Sequence, residues 1–320
     1  MRVISKHDQQ ELLNMREVIS ETGKALQAYS EGKTETPLRY SLPYNKDNRY
    51  LVMPALSEEL GIVGIKTVSY APRNPQKGKQ TIEGSVLLTD YDTGETLAVL
   101  DGAYLTKIRT GAISGVATQY LARQNAETLS VIGTGEQAEG LIEAVLAVRA
   151  IKRIQFFNRT YDKAVHFAKQ INEKYSDIET EVYKDVATAM DNSDIVITAT
   201  NSSQPVFKGQ LAPGTHLNAV GSFKPDMQEL PSESVVNADK VVVEATEAAL
   251  EETGDFFKPI EEGKWSAKDL HGELGRIVSG ELAGRESPEE VTLFKSVGLA
   301  IVDIVVANYF YNKVVEQDRG

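Results

Sequence analysis

The segment Val131-Ile132-Gly133-Thr134-Gly135-Glu136-Gln137-Ala138 constrains this chain more than any other. It reads as a strand running into a glycine turn that opens a helix, the G-x-G-x-x-A form of a dinucleotide-binding turn. Gly133 permits the tight turn, Gly135 lets the backbone approach a pyrophosphate, and Ala138 lets helix and strand pack closely. The unpaired N–H groups and positive dipole end of the new helix then face the phosphates, so Thr134, Glu136 and Gln137 complete the expected cradle. Alone, such a motif is weak. Here a strand Leu129 to Ile132, a helix Glu136 to Val148 and a strand Arg153 to Phe157 frame it as one strand–helix–strand unit.

The rhythm continues with a helix Asp162 to Tyr175, a short helix Asp185 to Met190, and buried-looking strands Asp194 to Thr198, Thr215 to Val220 and Val241 to Glu244. Such alternation gives a parallel sheet with right-handed crossovers, so a Rossmann-type doubly wound α/β domain is expected over residues 116–290. The remainder reads differently. A helix is expected from Asp8 to Tyr29 along Leu12, Met15, Ile19 and Leu26, capped by Asp8 with Glu11. Short β-rich runs follow at Gly64–Tyr70, Ser85–Thr89 and Thr96–Leu100, the last two joined by the hairpin turn Asp92-Thr93-Gly94-Glu95. One long final helix, Pro288 to Val315, is expected to carry the stripe Leu293, Val297, Ile301, Ile304 and Val305 and to return to the first domain. Residues 1–115 and 291–320 thus make a mixed α+β domain, and a chain of 320 residues suits two cores. No internal repeat is present.

In an NAD-specific site the second strand ends near an acid that accepts the ribose hydroxyls. This chain has Asn158-Arg159-Thr160 there. Amide, guanidinium and hydroxyl donors suit a 2′-phosphate, so NADP(H) is favoured over NAD(H), although Thr160 also suits the cap of the next helix. Ligands of such sheets bind beyond the carboxyl ends of the strands, which places Thr200, Asn201, Val220 and Gly221 on the nicotinamide side.

With 34 basic and 46 acidic residues the net charge is −12, which disfavours nucleic acid or an anionic membrane as partner. An anionic ligand must then be held by a few local cations. The absence of cysteine removes a thiolate nucleophile, a disulfide framework and thiolate-bound metal, and no metal site is expected. The most apolar long segment, Val297 to Ala307, is too short to span a bilayer and carries Asp303. The polar start, Met1 to Asp8, lacks the features of a secretory signal, so the expected location is the cytoplasm.

Several stretches together resemble the ornithine cyclodeaminase/mu-crystallin family: Pro37-Leu38-Arg39, Met53-Pro54-Ala55, Gly64-Ile65-Lys66, Leu105 to Ala112, the glycine turn, Asn218 to Ser222 and Thr292 to Gly298. The resemblance implies a homodimer joined through the first domains, with the active site in the cleft between domains. It also implies that Arg39, Lys66 and Arg109 hold the α-carboxylate of a small amino or imino acid, and it sets Thr110 beside the dinucleotide. A bidentate guanidinium fixes orientation as well as charge. Lys66, inside an apolar strand and near other cations, is the first candidate for proton transfer. An isolated lysine or arginine is ordinarily a solvated surface charge. Arg109 departs from that because small residues crowd the helix after it, and Arg39 rests on the resemblance alone.

The family contains cyclodeaminases, amino-acid dehydrogenases and imine reductases. Where cyclodeaminases carry an aspartate after the fifth strand this chain has Phe223, and where they carry a glutamate two residues before Met-Pro it has Leu51. Cyclodeamination must bind and deprotonate a distal amine, which neither side chain can do. Asp226 sits nearby, but its proline-linked loop suits a solvent-facing turn. The expected activity is therefore NAD(P)H-dependent reduction of a small cyclic ketimine, such as Δ1-pyrroline-2-carboxylate, to an L-amino acid such as L-proline. Ornithine cyclodeaminase, an alanine-type amino-acid dehydrogenase and a non-catalytic NADPH-binding protein are the alternatives. His216 and His271 are expected to be structural or solvated.

Overall fold

The structure, a computed structural model, describes residues 1–319. The chain divides into two compact units, Met1–Arg109 with the C-terminal segment from Leu299, and Thr110–Gly298.

The first unit opens with β1 (Arg2–Ile4), α1 (Lys6–Leu12) and α2 (Met15–Ser30), then β2 (Tyr40–Tyr44), β3 (Asn48–Ser57), β4 (Ile62–Tyr70), β5 (Ile82–Asp90) and β6 (Thr96–Asp101). The strands form one sheet in the order β1-β6-β5-β4-β3-β2, antiparallel except for β1 on β6. Along β4 the residues Ile62, Gly64, Lys66 and Val68 are buried and those between are less so. Side chains alternate across a strand, so these four share the inward face. Pairing sets Met53 opposite Lys66 and Leu51 opposite Val68, on that same face.

The opening helix departs from expectation. It is broken at Leu13 and Asn14, because Asn14 caps α2 by accepting from the N–H groups of Arg16 and Glu17. Ser5 rather than Asp8 caps α1, and Asp8 accepts from the Ser5 N–H at 2.7 Å as the returning half of a capping box.

α3 (Gly102–Leu121) follows, and the unit boundary falls on it between Arg109 and Thr110. The second unit then runs β7 (Thr128–Ile132), α4 (Ala138–Val148), β8 (Arg153–Phe157), α5 (Tyr161–Lys174), β9 (Glu179–Tyr183), α6 (Val186–Met190), β10 (Ile195–Thr198) and β11 (His216–Ala219). It continues with α7 (Ser232–Val236), β12 (Lys240–Val243), α8 (Thr246–Glu252), α9 (Gly254–Glu261), β13 (Gly272–Glu273), α10 (Leu274–Val278) and β14 (Thr292–Lys295). The last helix, α11 (Ala300–Arg319), belongs to the first unit.

The eight strands of the second unit are all parallel, in the order β13-β12-β14-β11-β10-β7-β8-β9. Two apolar clusters fill it, one around Leu129, Val131, Leu141, Ile154 and Ile195, the other around Ile132, Val196, Leu217, Leu230 and Leu293. Two cores on a parallel sheet are the signature of a doubly wound domain. Helices α3 and α4 meet backbone to backbone, since a methyl group on Gly111 would collide with the Gly140 carbonyl.

The expected helix from Pro288 to Val315 is corrected. Thr292–Lys295 is a strand between β11 and β12, buried at every residue, and the helix begins only at Ala300. A short strand buried on both faces has no alternation to betray it. Leu293 and Val297 therefore lie outside the helical stripe that Ile301, Ile304 and Val305 make. His216 is fully buried with Nδ1 2.9 Å from Thr292 Oγ1, and burial and the nearby Arg285 push its pKa down to about 3. It is a neutral structural group. His271 Nε2 pairs with the Ala283 carbonyl at 2.9 Å. Among the described residues no helix is long and apolar enough to cross a membrane.

Candidate active site

In the first unit α11 packs on β3, β4 and β5. Gly64 lets it come close, because a Cβ there would lie 2.7 Å from Ile304 Cδ1. Two residues along, on the same face, Lys66 donates from Nζ to Asp303 Oδ1 at 2.7 Å, and both side chains are almost wholly buried. Arg109 Nε stands 3.1 Å from the same oxygen, an ion pair without hydrogen-bond alignment, and Asp303 Oδ2 is buried with no partner. Arg39, half-buried ahead of β2, acts on Lys66 through its charge.

Burial pushes the Lys66 ammonium down, Asp303 opposes this, and the Arg109 and Arg39 charges push it down further, to about 8. Lys66 and Arg109 thus share one carboxylate, and the Arg39 charge also acts on Lys66. Two buried cations on one carboxylate are left short of negative charge, which a second carboxylate would supply. An amine titrating near 8 holds its proton at neutral pH and can release it to a substrate.

In the second unit the parallel sheet brings the loops after β7, β8, β10 and β11 to one edge, and these strands are neighbours in the order β11-β10-β7-β8. The chain steps outward from β7 to β8 and β9, then returns to the other side at β10. That reversal is where open α/β sheets bind ligands.

Gly133 has φ 101°, and a Cβ on it would sit 2.6 Å from the Ala199 carbonyl, so only glycine fits. Around the Cβ position of Gly135 there is open space. Thr134 Oγ1 and Gln137 Oε1 are buried without partners, as expected of polar atoms that await a ligand. The helix expected from Glu136 starts at Ala138, so Glu136 and Gln137 belong to the turn, with Gln137 at the cap position. Asn158 accepts from the Thr134 N–H at 3.4 Å and donates to the Thr160 carbonyl at 2.9 Å. Arg159 is exposed, and Thr160 stands at the cap position of α5 without a side-chain cap bond.

Thr200 and Gly221 are pinned together by Glu229. The buried carboxylate accepts from the Thr200 N–H at 2.6 Å, the Gly221 N–H at 2.7 Å and the Thr198 hydroxyl at 3.1 Å. A Cβ on Gly221 would strike the Thr200 backbone. Val220 is half-buried and Asn201 exposed at the same edge, while Thr110 follows Arg109 on α3 and is buried. Phe223 is half-buried and Asp226 exposed, so Asp226 is in the solvent-facing turn its proline suggests.

Two charged residues were not singled out as site residues from the sequence. Asp303 carried its own signal, a lone carboxylate in the run Ile301-Val302-Asp303-Ile304-Val305. Glu229 had none, since its loop has no period. Burial raises its pKa, Lys295 opposes the rise, and Asp255 adds to it.

A family model described as the ornithine cyclodeaminase/mu-crystallin family matches residues 1–318. The chain belongs to that family. Within the ornithine cyclodeaminase/mu-crystallin family it is 55% identical to a Δ1-pyrroline-2-carboxylate reductase of Bacillus cereus, over 100% of this chain and 98% of the relative. The solved Δ1-pyrroline-2-carboxylate reductase of Thermococcus litoralis, in complex with NADH and L-proline, is 39% identical with TM-score 0.95, covering 99% of this chain and 98% of that one. An archaeal alanine dehydrogenase dimer with bound NAD is 32% identical with TM-score 0.91, covering 99% and 97%.

Proposed function

We propose that this chain is a Δ1-pyrroline-2-carboxylate reductase that forms L-proline with a nicotinamide dinucleotide as reductant. The observation that carries the reading is the buried cluster in which Lys66 and Arg109 share the carboxylate of Asp303 while the charge of Arg39 acts on Lys66. A cyclic imino acid brings one fixed anion and one basic nitrogen, and the cluster answers both. Arg109 and Arg39 bind the carboxylate and hold the ring in one orientation. Lys66 gives its ammonium proton to the imine nitrogen, which draws electron density from the C=N carbon. Hydride for that carbon would come from the dinucleotide when it is bound. Leu51, on the face that carries Lys66, offers an apolar wall and no acid for a distal amine, and Phe223 removes the other acid that cyclodeamination uses. The full-length identity to reductases of this substrate agrees.

The turn from Gly133 to Ala138 would hold the pyrophosphate on backbone N–H groups, with the Thr134 hydroxyl as a further donor. Thr110, Thr200, Asn201, Val220 and Gly221 line the nicotinamide end. NADPH is preferred, because no carboxylate stands at the end of β8 and Asn158, Arg159 and Thr160 present donors to a 2′-phosphate. The Thermococcus litoralis relative was solved with NADH, so this preference rests on these three residues of the present chain.

The protein is a homodimer in this reading. Tyr40, Leu42 and Tyr44 on the edge strand β2 are exposed beside Tyr50, an apolar edge that a lone chain would leave open to aggregation.

The purified chain is expected to oxidise NADPH when given Δ1-pyrroline-2-carboxylate, to form L-proline, and to show a higher kcat/KM with NADPH than with NADH. Light scattering on the same sample should give the mass of two chains. No oxidation with any cyclic ketimine, alongside ammonia release from ornithine, would replace the reading by the cyclodeaminase.

A further inference from the structure

Asp303 does not touch the substrate in the reading above, yet both Lys66 and Arg109 are paired with it. Its Oδ1 is 2.7 Å from Lys66 Nζ and 3.1 Å from Arg109 Nε, its side chain is fully buried, and Oδ2 has no partner. The groups whose charges act on Lys66 come from three elements: Asp303 from α11, Arg109 from α3, and Arg39 from the segment ahead of β2. Of these, Asp303 alone is negative. We infer that Asp303 is a positioning residue for the proton donor: it holds Lys66 in one rotamer and keeps its amine protonated among two arginines, while fixing the side of Arg109 that faces away from the substrate carboxylate.

The inference rests on the proposed reduction, in which an N–H bond of Lys66 breaks as the N–H bond of the imine forms. The lysine left neutral then regains its proton from solvent. Without Asp303 the same amine would face burial and two like charges unopposed. It would lose its proton at lower pH, and the enzyme would lose its donor there.

The test is the pH profile of kcat/KM for imine reduction in the full-length protein. The native enzyme is expected to lose activity above about pH 8, where Lys66 deprotonates. In Asp303→Asn the alkaline limb should move down by at least about one pH unit, since an opposite charge within hydrogen-bond reach shifts an ionisable group by that much or more. Asp303→Glu restores the charge and should bring the limb back toward the native position while kcat stays reduced. Asp303→Ser, smaller and open to water, carries the same test if Asp303→Asn does not fold.

A readout independent of turnover is the titration of the Lys66 Cε resonance in 13C-lysine-labelled protein, assigned by its loss in Lys66→Met. It should move down together with the limb. A limb and a resonance that stay in place when the carboxylate is removed would overturn the inference. So would failure of both neutral variants to fold, which assigns Asp303 to stability alone. A native enzyme that reduces no imine would instead defeat the proposed function and leave the resonance shift to be read by itself.

Discussion

Lys66→Met is expected to lower kcat for imine reduction by about a thousandfold, the middle of the range that a positioned general acid contributes. Methionine matches the reach of the lysine stem without its proton, so the apolar contacts of β4 survive. The loss has two parts. The imine nitrogen no longer receives a proton, and the substrate carboxylate faces one cation fewer, so KM rises as well. Removing one member of a buried ion pair destabilises by about 3–5 kcal/mol when the other is left bare. Here Arg109 still stands 3.1 Å from Asp303, which holds the loss near the low end. Lys66→Arg separates the effects, because a guanidinium keeps the charge but gives up no proton in the working range. KM should recover in that variant while kcat stays low, and the alkaline limb should vanish. Steady-state kinetics beside thermal melts reads both. A Lys66→Met enzyme within tenfold of native kcat would remove Lys66 from the chemistry.

Why the strand–helix alternation of the second unit was legible follows from its periods. Residues 128 to 157 carry a buried run, a glycine turn and a helical stripe in close succession, and the observed elements fall within a few residues of those expected. β14 was not legible. Thr292 to Lys295 is hydrogen-bonded along both edges to parallel strands, and because every residue is buried both of its faces are covered as well. A fully buried strand reads like the interior of a helix, and the nearby stripe from Ile301 onward drew it in. The break between α1 and α2 was hidden for another reason. Leu12 and Met15 keep a helical spacing across Leu13 and Asn14, and only the Asn14 cap reveals that two helices share one stripe.

The candidate site divides in the same way. Lys66 stood out because a charge within an apolar strand is costly unless paired. Its partner was visible as a residue but not as a partner, since 237 positions separate Lys66 from Asp303 and no local pattern links them. Glu229 is the opposite case, a residue in an irregular loop whose importance arises only when β10 and β11 set Thr200 and Gly221 side by side. Sequence patterns report local geometry. Pairings across the sheet and between distant elements belong to the folded chain.

Gly135→Val is expected to leave the fold nearly unchanged and to weaken dinucleotide binding by about a hundredfold or more. The backbone at Gly135 lies outside the left-handed region, and nothing occupies the space a side chain would fill, so the substitution costs the empty protein little. Thermal melts of native and variant protein should agree closely. The same side chain would fill the approach to the turn, where backbone N–H groups meet phosphate oxygens. Hydrogen bonds to charged groups are worth about 1.5–3 kcal/mol each, so two lost contacts amount to a factor of about a hundred or more. Gly133→Ala supplies the contrast. At φ 101° alanine is strained, and its Cβ would meet the Ala199 carbonyl at 2.6 Å, so that variant should lose several degrees of Tm whether or not dinucleotide is present. Fluorescence titration with NADPH and NADH then distinguishes the two glycines. A Gly135→Val protein that still binds both cofactors within a few-fold of native would reduce the turn to a connection between β7 and α4, and the dinucleotide would have to be held elsewhere.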